Sequence, residues 1–166
     1  LIYTHAPFDG IPMKTTIDGL NNAVEAGLAR SIGVSNYPTA LLKEAVELSE
    51  RPIVANQLLY NIIDRGLVTP QMLDYCRSQR IALVAYRPVE RRLLADKTDN
   101  PTVKEIAARY ERPEAQIAIN WLIGQPGVVT IPKAVARNHI EENLGAMEFS
   151  LSDEDRRLLD RVSPAK

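Results

Sequence analysis

The sequence predicts an α/β fold on a parallel sheet, with closure into a barrel favoured. Three observations predict it. Short apolar runs alternate with amphipathic stretches along all 166 residues, and strands joined by helical crossovers run parallel and are covered on both faces. The polar residues of interest fall at the carboxyl ends of those runs: His5, Ser35 and Asn36, Gln57, Tyr86 and Arg87, and Lys133. In a barrel that end is the reactive face; in an open sheet it is the ligand crevice. Lastly, Val-Val-Thr-Ile-Pro-Lys at Val128 to Lys133 leads into Arg137-Asn138-His139-Ile140-Glu141-Glu142-Asn143. A lysine at the end of a parallel strand, facing a helix N-terminus, suits a phosphate group, which is how a barrel holds a phosphorylated ligand at its carboxyl-end face.

The elements follow in order. Leu1-Ile2-Tyr3-Thr4 reads as a buried strand, and Pro7 to Lys14 as a loop leading to threonines that cap a helix. In that helix Ile17, Leu20 and Val24 share a face, and Gly27 stops it. A second strand, Ser31 to Val34, ends in Ser35-Asn36, and Pro38 opens a helix with Leu41, Leu42, Ala45, Val46 and Leu48 inward. The third strand is Ile53 to Gln57. Thr69-Pro70 caps and starts the next helix, which presents Met72, Leu73 and Cys76. The fourth strand, Ile81 to Tyr86, closes on Arg87-Pro88, and a longer loop spans Val89 to Asn100. Helices follow from Pro101 (Val103, Ile106, Ala107) and Pro113 (Ile117, Ala118, Trp121, Leu122). Pro126-Gly127 turns the chain into a fifth buried strand, Val128 to Ile131. Asn138 with Glu141 resembles a capping box for a helix ending near Gly145, and Ser152 opens a last helix whose first turn is acidic.

Composition narrows the classes of function. A chain with 45% hydrophobic residues supports a globular core. The net charge of −1 and the short basic pairs Arg91-Arg92 and Arg156-Arg157 do not make a nucleic-acid footprint. The longest strand-like apolar run, Ile81 to Ala85, is far shorter than a membrane span. One cysteine, Cys76, excludes an internal disulfide and fits a reducing, cytoplasmic setting; in its helical pattern it reads as a small inert hydrophobe. The sequence opens on a strand at Leu1, so a preceding segment is expected in the intact protein.

Leu1-Ile2-Tyr3-Thr4-His5-Ala6-Pro7, Gly33-Val34-Ser35-Asn36, Asn56-Gln57, Ala85-Tyr86-Arg87-Pro88 and Ile131-Pro132-Lys133 resemble, in order and spacing, the aldo-keto reductases. Each motif is weak alone, and the ordered set is specific. The resemblance implies a (β/α)8 TIM barrel, of which residues 1–166 supply roughly the C-terminal five strands with their helices, as part of a single domain. It implies a nicotinamide cofactor, NADP(H) more than NAD(H), held without a G-x-G-x-x-G fingerprint, and none occurs here. No metal is expected. Of the family's catalytic tyrosine, aspartate, lysine and histidine, only the histidine matches, at His5; the others would precede Leu1. A barrel of this kind takes about 250 residues.

By the same resemblance His5 donates a hydrogen bond to the substrate carbonyl. Ser35, Asn36 and Gln57 clamp the nicotinamide carboxamide, and a helix-cap role for Ser35 and Asn36 before Pro38, which can coexist with it, stays open from sequence. Tyr86 stacks on the nicotinamide, beside Arg87. Lys133 meets the adenosine-side phosphate, Arg137 and His139 lie where the 2′-phosphate is held, and Glu142 and Asn143 where adenine is met. The chain departs from the family at Ala6 for tryptophan, Ala134 for serine and His139 for arginine, and Val89 to Arg92 lacks the glycine of a pyrophosphate-covering loop. Arg91 and Arg92 are either phosphate ligands or a solvated pair.

The expected activity is NAD(P)H-dependent reduction of an aldehyde or ketone. Two alternatives remain open at this level: a non-catalytic nicotinamide-binding regulatory relative, and an unrelated barrel enzyme binding a sugar phosphate. Five parallel strands alone leave two apolar edges, so the isolated segment is expected to need the missing half of the barrel, or another copy, to cover them.

Overall fold

The computed structural model describes residues 1–89 and 100–162. These fall into two compact units, one made of Leu1–Leu58 and Leu67–Val84, the other of Leu59–Gly66 and the chain from Ala85 onward.

In the first unit the chain forms β1 (Ile2–Tyr3), α1 (Met13–Glu25), β2 (Ile32–Ser35), α2 (Thr39–Leu48), β3 (Ile53–Leu59), α3 (Pro70–Gln79) and the start of β4 (Ala82–Tyr86). The strands lie in sequence order. β1 and β2 are parallel, as are β2 and β3, with Val34 opposite Asn56 and Ser35 opposite Gln57. That register sets the carboxyl end of β2 beside Gln57, two residues before β3 ends. Every residue of β2 is buried, as a central parallel strand requires. Ile17 and Leu20 of α1, Leu42 and Ala45 of α2, and Met72 and Cys76 of α3 supply the helical side of this core. Thr69 caps α3 as the sequence predicts, its Oγ1 accepting from Met72 N at 3.1 Å, an interaction of about 1 kcal/mol.

Several expectations need correcting here. β1 is shorter than predicted, and Leu1 and Ile2 are exposed rather than buried. The threonines do not cap α1. The helix starts at Met13 behind Pro12 with no side-chain cap bond, so Thr15 and Thr16 sit inside its first turn. Proline at the cap position sets the extended backbone on its own. Gly27 does stop α1, at φ 71: its N–H donates to Val24 O and that of Leu28 to Ala23 O, a Schellman closure that needs a left-handed residue. β3 runs two residues past the predicted end, to Leu59.

The second unit holds the end of β4, then α4 (Pro101–Tyr110), α5 (Glu114–Ile123), β5 (Val128–Thr130), α6 (Arg137–Gly145) and α7 (Asp153–Asp160). α5 is buried from Gln116 to Leu122, the signature of a helix enclosed on most sides. Trp121 lies at its centre, fully buried, with the Tyr60 ring 5.3 Å away and the Arg65 guanidinium 4.9 Å from its centroid. Its indole N–H donates to Asp160 Oδ1 at 2.9 Å, and Arg65 donates to Leu159 O at 2.9 Å. Burial pushes the Tyr60 hydroxyl up to about 12. α7 is also held through Asp155, which is buried and accepts from Tyr110 Oη at 2.8 Å, from Ser152 Oγ at 2.7 Å, and from Arg109. Burial alone would raise the Asp155 carboxyl; the hydrogen bonds from Ser152 and Tyr110 and the charge of Arg109 outweigh it and hold the group below the usual carboxylate range.

β5 departs from the sequence reading. It ends at Thr130, and only Val128 is buried, Val129 and Ile131 being exposed. An uncharged β-branched run shows strand propensity but not which faces are covered. α6 begins one residue before the predicted cap: Ala136 occupies the cap position, and Asn138 and Glu141 lie within the helix. Glu141 pairs instead with Arg137 at 2.8 Å, one helical turn away. The reciprocal cap forms at α7, where Ser152 Oγ accepts from Asp155 N at 3.1 Å and donates back to its carboxylate.

Candidate functional site

At the carboxyl end of β2, Ser35 Oγ and Asn36 N both donate to Gln57 O, at 2.8 and 2.9 Å. Asn36 is left-handed, φ 62, a conformation that asparagine tolerates better than most residues. This turn sends its Nδ2 to His5 O at 3.0 Å and to Ser35 Oγ at 3.2 Å. Asn36 therefore ties the tip of β2 to the residue that follows β1, while the His5 side chain is left exposed. Pro38 caps α2 without a side-chain bond of its own, and the Ser35 and Asn36 side chains donate to Gln57 O and His5 O. Buried Asn56 donates to Tyr37 O at 2.9 Å, fixing the next link of the same turn. The structure thus gathers His5, Ser35, Asn36 and Gln57 in the first unit, with donors and acceptors on adjacent strands.

In the second unit, Thr130 Oγ1 and Ile131 N donate to Ala85 O at 3.3 and 3.2 Å. These bonds draw the Pro132-Lys133 segment beside the end of β4. There an open cavity of about 1040 Å3 is lined by Arg87, Lys133, His139, Glu142 and Asn143, with Pro132 and Ala134 to Ala136 between them. Arg87 and Lys133 bring positive charge to a lining that also holds the Glu142 carboxylate. His139 Nδ1 is 3.4 Å from Glu142 Oε2. The N-terminal turn of α6 adds its partial positive charge, so an anion such as a dinucleotide phosphate fits this lining. Tyr86 is half-buried at the end of β4, next to Arg87.

Arg137 is not brought to the cavity. Its side chain is 91% exposed and paired with Glu141, and it is absent from the lining. Arg91 and Arg92 lie outside the described residues. Sequence reasoning missed what seats α6. Gln116 donates to Glu142 O at 2.9 Å, and Asn120 to Ala146 O and Phe149 O at 2.9 and 2.7 Å. A Cβ on Gly145 would come within 2.5 Å of the Gln116 amide, so glycine permits the close approach of α5 and α6. The amides at Gln116 and Asn120 share one face of an otherwise apolar helix, a signal visible in the sequence.

The model of the Aldo/keto reductase family matches residues 1–164. The chain belongs to this family. Its fold class is accordingly that of the (β/α)8 barrels, of which the described strands β1 to β5 are a part. Among solved aldo-keto reductases, a thermostable one in complex with the inhibitor epalrestat is 42% identical, with a TM-score of 0.90 over 97% of this chain and 58% of that chain. The aldo/keto reductase from Klebsiella pneumoniae in complex with NADP and acetate is 28% identical, with a TM-score of 0.83 over 99% of this chain and 59% of that one. Glyoxal reductase of Bacillus subtilis is 33% identical over 90% of this chain and 52% of its own length. Estradiol 17 beta-dehydrogenase 5 of Mus musculus is 31% identical over 94% of this chain and 50% of its own length. The chain spans about half the length of the curated relatives it matches. Among the described residues of this aldo/keto reductase chain, no helix is long and apolar enough to cross a membrane.

Proposed function

We propose that this chain is part of an NAD(P)H-dependent oxidoreductase that reduces an aldehyde or ketone to the alcohol, with NADP(H) preferred over NAD(H), and that it works in the cytoplasm. Residues 1–166 belong, in this reading, to one barrel domain. The observation that carries it is the Lys133 cavity: a lysine and an arginine beside a helix N-terminus, at strand ends, in an aldo/keto reductase chain. Neighbouring structures in complex with NADP and NADPH support the cofactor class, and relatives named as glyoxal and methylglyoxal reductases support the carbonyl.

The cofactor, when bound, supplies the hydride. Ser35, Asn36 and Gln57 orient its carboxamide, Tyr86 faces its nicotinamide ring, and Arg87 and Lys133 hold phosphate oxygens. Glu142 and Asn143 contact the adenine end, with His139 near the 2′-phosphate. His5 donates a hydrogen bond that orients and polarises the carbonyl oxygen, and the tyrosine that supplies the proton belongs to the rest of the barrel.

Lys133→Ala in the intact protein tests the phosphate assignment. NADPH affinity, followed by its fluorescence, is expected to fall about tenfold to a hundredfold, the loss of a charge-assisted hydrogen bond. His139→Ala should weaken NADPH more than NADH. Unchanged affinity for both cofactors in both variants refutes the assignment, and absence of carbonyl-dependent NADPH oxidation by the native protein refutes the activity.

A further inference from the structure

Asn61 is buried in the second unit and satisfies polar groups in two directions. Its Oδ1 accepts from Ile63 N at 2.9 Å and from Asp64 N at 2.7 Å, closing a local turn. Its Nδ2 donates to Arg87 O at 3.0 Å. The preceding residue makes a parallel contact, Tyr60 N donating to Tyr86 O at 3.4 Å. Successive carbonyls at the end of β4 are therefore taken by successive residues of the 60–61 segment.

That pairing matters because Arg87 is left-handed, φ 51. A long side chain is disfavoured there, and such a conformation persists only where its surroundings over-determine it. The left-handed turn directs the chain from β4 into Pro88 and Val89, which line the Lys133 cavity together with Arg87. A half-turn of slack at Arg87 would move Tyr86, Arg87 and that wall at once.

We infer that Asn61 is a positioning residue for the cofactor site, holding the Tyr86–Arg87 turn in its left-handed form without touching the cofactor itself. The inference rests on the proposed contacts of Tyr86 and Arg87 with the cofactor. Glycine takes the left-handed conformation without a steric penalty, which gives a way to separate positioning from general stability.

The test is NADPH titration of the intact protein with Asn61→Ser, whose hydroxyl keeps a local acceptor but is too short to reach Arg87 O. NADPH affinity is expected to fall about tenfold, together with the drop of a few degrees in melting temperature that a lost buried hydrogen bond causes by itself. In a Tyr86→Ala/Arg87→Gly background the same change should alter affinity less than about twofold, because the contacts it positions are gone. Equal losses in both backgrounds, or no loss in the native one, overturn the inference. If the Tyr86→Ala/Arg87→Gly protein itself binds NADPH normally, the assignment of those residues fails first and the inference falls with it. Should Asn61→Ser not fold, Asn61→Asp keeps an acceptor for the Ile63 and Asp64 N–H groups, loses the donor to Arg87 O, and is held to the same outcomes.

Discussion

His5→Ala in the intact protein is expected to slow carbonyl reduction about a hundredfold to a thousandfold, the usual loss when a hydrogen-bond donor to a developing oxyanion is removed. The structure gives the substitution an unusually clean reading. The His5 imidazole is exposed, and what fixes the residue is its backbone carbonyl, held by Asn36 Nδ2. Alanine keeps that bond, so the strand end and NADPH affinity should survive while kcat falls. His5→Gln retains a donor and should recover part of the rate. If kcat with saturating cofactor is unchanged in His5→Ala, the histidine has no role at the carbonyl. A parallel fall in melting temperature would instead mark it as structural.

Asp155→Ala is expected to cost about 2–3 kcal/mol, lowering the melting temperature by roughly 4–12 °C. The side chain is 3% exposed and serves Tyr110, Ser152 and Arg109 together. Its removal takes the acceptor from the half-buried Tyr110 hydroxyl, while the exposed Ser152 hydroxyl turns to water. Arg109 is 46% exposed, so water screens its share of the loss. The same group confers a pH dependence of defined sign. Its folded pKa is depressed, so the unfolded chain binds the proton more tightly. The stabilisation is complete above the ordinary aspartate value of about 3.9 and disappears as pH falls through the lower folded value. Asp155→Asn should therefore show a shallower decline in melting temperature below about pH 4 than the native protein. Identical acid limbs would contradict the network's contribution.

The strand–helix alternation and the buried faces of α2, α3, α4 and α5 were legible because hydrophobic periodicity is a local property. So were the caps at Thr69 and Ser152, where a small polar side chain meets a free backbone N–H. Helix ends without a glycine were not: α3 and α4 close on Arg80 and Glu111 in the left-handed conformation, φ 57 and 52, which neither residue type announces. The start of α6 was misplaced because Asn138 and Glu141 have capping-box spacing, yet the first turn forms behind Ala136 and Glu141 joins Arg137. In the candidate site, the polar residues at strand ends were visible as interruptions of apolar runs. Their supports were not, since Asn61 and Arg87 are 26 positions apart in sequence, and only the folded chain shows that they meet. The exposure of Val129 and Ile131 was equally hidden, because composition does not say which side of a strand a neighbour covers.

The chain's lone tryptophan and lone cysteine sit in different compact units, Trp121 in the second and Cys76 in the first. Each is a natural reporter: the indole emission changes when Tyr60 and Arg65 leave it, and the thiol, which burial pushes up to about 11, becomes open to alkylation only when the core around Met72 is breached. For this polypeptide, superimposable denaturation curves from the two signals would indicate a single cooperative transition, and separated midpoints a stepwise loss of order.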